Sequence, residues 1–83
     1  MRADICARED EATQAALLQS LSAIGAVPDD DSAPEVPLPT GLHRFRVGFD
    51  VLTVFVDTWL VDLEGPDEPV REVLELISGR DRG

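Results

Sequence analysis

The chain has 83 residues, with seven basic side chains against 17 acidic ones for a net charge of −10. A chain this short holds material for one small core, so a single domain over residues 1–83 is expected. The acidic excess works against direct contact with nucleic acid or an anionic membrane, because either needs clustered cations that displace counterions. No run approaches the ~20 apolar residues that span a bilayer, and residues 1–11 carry acids where a secretory signal would be apolar. A cytoplasmic location is expected. All the basic residues are arginine, and lysine, asparagine and tyrosine are absent, a bias that fits a G+C-rich bacterial genome.

Residues 8–24 have helical periodicity. Leu17, Leu21 and Ile24 fall at i, i+4 and i+7, with Leu18, Ala12, Ala15 and Ala16 widening the stripe. Glu9, Asp10 and Glu11 suit the positive end of the helix dipole, and Gly25 suits the position just past its end. An earlier start at Asp4, bringing in Ile5, gives an N-terminal helix over residues 4–25. Residues 26–41 hold four prolines and four acids. This stretch is expected to be extended, either wrapping the surface with Val36 and Leu38 tucked in or acting as a tether. Its Pro34-x-x-Pro37 spacing is common in proline-rich linkers and is weak evidence of a polyproline-reading partner.

Residues 42–64 read as an antiparallel β-hairpin. Leu42 to Val47 alternate, and Gly48 can take the positive φ of a two-residue turn. That turn sets Phe45 and Val47 beside Leu52, Val54, Val56 and Leu60. The opposite face then gathers Arg44, Arg46, Phe55, Asp57, Trp59, Val61 and Leu63. The run from Val51 to Leu63 is apolar at both parities, the pattern of a strand covered on both faces. At ~3.3 Å per residue it would extend about 43 Å, against a globule about 30 Å across. It therefore bends strongly or breaks near Asp57-Thr58 into a three-stranded meander. Because Asp-Thr lacks the glycine that tight hairpin turns favour, one long bent strand is the expectation.

Gly65-Pro66 ends the strand, and Asp67 with Glu68 and Pro69 marks a helix start. Val70, Val73, Leu74 and Ile77 form one stripe, and Gly79 is the expected stop, giving a helix over residues 67–79. The fold class is α+β: an α-β-β-α unit in which N- and C-terminal helices pack an antiparallel hairpin. The C-terminal helix should cover one face of the sheet, and the N-terminal helix or a second copy the other.

Candidate chemistry is sparse. His43, the one histidine, stands at the start of the hairpin, where a solvated role is commoner than a catalytic one. Cys6 has no second cysteine, and one cysteine with one histidine cannot close a zinc site. Asp29-Asp30-Asp31 lacks the alternation and glycine of a calcium loop. No phosphate loop, nucleophile set or dinucleotide fingerprint is present. The expectation is therefore a non-catalytic protein-interaction module with no cofactor, no metal and no small-molecule substrate, either a homodimer or the small subunit of a complex. Its candidate interface is Phe55, Asp57, Trp59, Val61 and Leu63 with Arg44 and Arg46, an arginine pairing Asp57 across the hairpin. An acidic, immunity-type inhibitor that blocks a basic site on an enzyme is the alternative.

Overall fold

A computed structural model describes residues 1–29 and 35–81. In chain order its elements are β1 (Arg2–Ala7), α1 (Glu11–Ala23), β2 (Val27–Pro28), β3 (Gly41–Val47), β4 (Asp50–Val56), β5 (Leu60–Glu64) and α2 (Asp67–Asp81). The class is α+β. The sheet has five strands among the described residues, ordered β1-β5-β4-β3-β2, and each neighbouring pair is antiparallel.

The N-terminal helix starts later than the expected residue 4. Arg2-Ala3-Asp4-Ile5 alternate polar and apolar, and this segment pairs with β5 as an edge strand, with a register shift between Asp4 and Cys6. Asp10 then caps α1, its carboxylate accepting from the Thr13 backbone N–H at 3.1 Å and the Thr13 hydroxyl at 2.7 Å. At the other end Gly25 adopts φ 84°. Its N–H donates to the Ser22 carbonyl, and the Ala26 N–H donates to the Leu21 carbonyl, which satisfies two of the carbonyls a helix end leaves open.

The β3–β4 hairpin turns at Gly48 with φ 60°, and its register pairs Phe45 with Leu52 and Arg44 with Thr53, as the two-residue turn requires. The long strand does not form. The chain turns at residues 57–59, and β5 folds back on β4 with Val56 opposite Val61. Asp57 takes the place of the missing glycine: its Oδ1 accepts the backbone N–H groups of Trp59 and Leu60, each at 2.7 Å. A carboxylate that bonds its own backbone two and three residues on closes a turn without positive φ. The molecule measures 31 × 29 × 21 Å, too small for a 13-residue straight strand.

The turn also reverses side-chain parity. Leu52, Val54 and Val56 of β4 face the core from even positions, whereas Val61 and Leu63 of β5 face it from odd ones. Leu60, expected beside Val56 in the core, is exposed instead. Both helices lie on this one face: Leu17 and Leu21 from α1 and Val70, Val73 and Ile77 from α2 join the sheet residues and Leu38 in a single core. Of the two covers expected for the second face, the N-terminal helix or a second copy, the N-terminal helix is not the one: the arrangement is two layers, helices over sheet. α2 also runs past Gly79, which has no positive φ, to Asp81.

Within the connection after α1, Val27 and Pro28 pair with Arg46 and Phe45 of β3, and Leu38 is buried. The segment wraps the surface through Leu38, while Val36 is only half-buried. Asp30, Asp31 and Pro34, which carried the acidic-loop and Pro-x-x-Pro readings, lie outside the described residues.

Candidate functional site

With both helices on one face, the other face of the sheet stands open. The register writes its composition in rows across the strands. One row runs Arg2, Glu64, Thr53, Arg44, and the next runs Asp4, Asp62, Phe55, Leu42. Val51, Arg46 and Val27 form a third, shorter row toward β2, and Leu60 with Ala7 lies at the opposite end. Leu42, Val51, Leu60 and Val27 are all exposed, and Phe55 is half-buried. Large apolar side chains gathered on one uncovered surface mark a binding surface more often than singly scattered ones do.

Asp62 is the buried polar residue of this face, 9% exposed. Its Oδ2 accepts from Arg2 Nη2 at 2.9 Å, and the Arg2 guanidinium carbon lies 4.5 Å from the centre of the Phe55 ring. Arg2 thus lies over the ring while holding the carboxylate, and its Nη1 is 3.9 Å from Glu64. The second carboxylate oxygen of Asp62 is buried and has no hydrogen-bond partner among the described residues. An unpaired buried oxygen is costly, and few buried polar groups in a folded protein go without a partner.

The expected interface residues separate into groups. Phe55 sits on the open face, and Trp59 stands in the β4–β5 turn with 76% of its surface exposed. Val61 and Leu63 do not belong to this face: both are fully buried in the core, because the turn at residues 57–59 reverses the parity of β5. Asp57 is exposed and engaged with its own turn, and the backbone N–H groups of Leu60 and Trp59 hold its carboxyl below the usual carboxylate range. The paired carboxylate expected within the apolar face is Asp62 rather than Asp57, and its arginine is Arg2, delivered by the unanticipated strand β1. Arg46 instead pairs with Asp29, Nε to Oδ1 at 2.9 Å. Arg44 is exposed, with no ion pair among the described residues. The alternation of residues 2–5 was the available signal for Arg2.

His43 lies opposite Val54 on β4, its Nε2 2.7 Å from the Pro39 carbonyl oxygen. The Asp57 carboxylate, committed to its turn, is not brought to it. Burial, reinforced by the Asp10 charge, pushes the Cys6 thiol up to about 11, which disfavours the reactive thiolate at neutral pH. Among the described residues no group of three or more histidine, cysteine, aspartate or glutamate side chains is placed to hold a metal ion. Among the described residues no helix is long and apolar enough to cross a membrane. Comparison with protein-family models, curated proteins and solved structures finds no match for this chain.

Proposed function

We propose that this chain is a non-catalytic protein-interaction module that docks through the bare face of its sheet, by self-association or as the small subunit of a complex. The observation that carries the reading is a face centred on Phe55 and bordered by exposed Leu42, Val51, Leu60 and Trp59, which neither helix covers. Edge-to-edge pairing has less support. One sheet edge, β1, is irregular between Asp4 and Cys6, and the other, β2, is two residues long and contains Pro28. Short strands, irregularities and proline are the usual protections of an edge against further pairing.

The test places a photoreactive benzoylphenylalanine at Phe55 and, as a control on the helical layer, at Glu72. Illumination in the native cell should give a covalent adduct with a protein, this chain or another, from position 55 and not from position 72. No adduct from position 55 would overturn the reading. The inhibitor alternative draws on Glu68, Glu72 and Glu75, exposed at helical spacing along α2. Adducts formed only from position 72 would favour it.

A further inference from the structure

We infer that the bare face is covered by a second copy of this chain, the two sheets stacked about a two-fold axis running along β4, so that Arg44 of each copy meets Glu64 of the other. This rests on the docking reading above and names its occupant. The argument is the sign of charge across the face. The β1–β5 half carries three carboxylates, Asp4, Asp62 and Glu64, against Arg2, whereas the β3 part carries Arg44 and Arg46, of which Arg46 is paired with Asp29 and Arg44 is not paired among the described residues. Acidic and basic ends thus flank an apolar centre at Phe55.

Two aligned sheets packed face to face can be related by a two-fold axis across the strands or along them. An axis across the strands lays β3 on β3 and β5 on β5, setting arginine against arginine and carboxylate against carboxylate. An axis along β4 keeps position along the strands and exchanges the two sides, laying β3 over the partner's β5. Arg44 and Glu64 occupy the same row, each one strand from β4 and both opposite Thr53. That axis therefore brings Arg44 to the partner's Glu64 twice per dimer, with Phe55 near the centre. It also sets the two β4–β5 turns at the same end, where the Trp59 indoles converge. Within one chain Glu64 lies 3.9 Å from Arg2, and among the described residues no ion pair joins it to Arg44 two strands away.

The sheet is roughly 20 Å on a side, from strand spacing and length, so each copy covers about 400 Å² and the pair about 800 Å², below the size of stable interfaces and in the range of transient ones. The association is correspondingly weak, in the micromolar range.

Sedimentation velocity between about 5 and 500 μM at moderate salt tests the arrangement. The unaltered chain should shift from monomer to dimer across that range. Arg44→Glu and Glu64→Arg should each raise the dissociation constant at least tenfold, and the double exchange should restore it to within about threefold. Circular dichroism melts confirm folding, and since Glu64→Arg places a second arginine beside Arg2, Glu64→Gln is run in parallel and should weaken the dimer in the same direction. A chain that stays monomeric at the highest concentration overturns the inference, as does a dimer indifferent to either exchange or a double exchange that recovers nothing. If the chain is monomeric while position 55 is trapped on another protein, only the second-copy inference falls. If position 55 traps nothing, the docking reading falls with it.

Discussion

Gln14 offers the sharpest test of how the fold supports this face. Its side chain is fully buried on α1 and bridges two segments that share no strand pairing. Nε2 donates to the Arg8 carbonyl at 2.7 Å, and Oε1 accepts the Leu38 backbone N–H at 2.8 Å. The Arg8 guanidinium in turn donates to the Leu38 carbonyl, and the Arg8 backbone N–H donates to the Trp59 carbonyl at 2.9 Å. One amide thereby joins α1, the proline-rich connection and the residue that anchors the β4–β5 turn. Gln14→Met keeps nearly the same volume but removes both bonds, leaving a backbone N–H and a carbonyl with no partner from this side chain. Each orphaned buried group costs about 1–3 kcal/mol, so at about 1.5 kcal/mol apiece the total is about 3 kcal/mol. Against a stability of about 4–12 kcal/mol for a chain of this length, that is a quarter or more. With a urea m-value near 1 kcal/mol/M, the unfolding midpoint should fall by about 2–3 M. The Leu38 amide should also exchange its hydrogen faster than in the parent. A midpoint within about 0.5 M of the parent would show that the bridge contributes nothing net, and the reasoning would be refuted.

Gly65 sits where a Cβ would run into the Leu52 side chain and lie 3.1 Å from the Val51 carbonyl oxygen. Leu52 is fully buried and cannot swing clear, so Gly65→Ala should cost about 1–3 kcal/mol in urea unfolding, and a neutral result would mean the strand end is slack. The Asp57 carboxyl is held below its ordinary value of 3.8 in the folded chain, so its contribution to stability is complete above that value and is lost as pH falls through the folded one. The melting-temperature gap between the parent and Asp57→Ala should therefore narrow on acidification from about pH 5 to about pH 3, and a gap that widened would contradict the turn-closing role. A Cys6 thiol raised from 9.0 to about 11 leaves about one-hundredth of the ordinary thiolate at pH 8, so iodoacetamide should label it about a hundredfold more slowly than a free thiol. Trp59→Arg should weaken self-association while leaving the melt cooperative, because the indole supports no core contact. An unchanged sedimentation profile would remove Trp59 from the interface.

Where the sequence was legible, the physics was local. The Gly25 ending of α1, the Gly48 turn with its register, and the Val70–Ile77 stripe of α2 all follow from short-range geometry and one-faced burial. Strand β1 was not legible in the same way. Alanine and aspartate have little β-propensity, and residues 2–7 run into a strongly helical stretch, so the pairing with β5 decides their conformation. Leu38 was legible as a candidate for burial, but the buried Gln14 that holds it was not, since a glutamine on a helix ordinarily faces water.

The run from Val51 to Leu63 carries the larger lesson. Apolar residues at both parities suggest one strand with two greasy faces. They are two strands, each with one core face, joined by a turn that reverses the parity between them. Val61 and Leu63 therefore go into the core, while Leu60 comes out to the open face. The same reversal carries Asp62 outward beside Phe55, where Arg2 neutralises it, and places Glu64 in the row of Arg44. A wholly apolar face would have attracted any greasy surface. The reversed strand instead gives the face an acidic side and a basic side, and that polarity favours a second copy in one orientation over an indiscriminate partner.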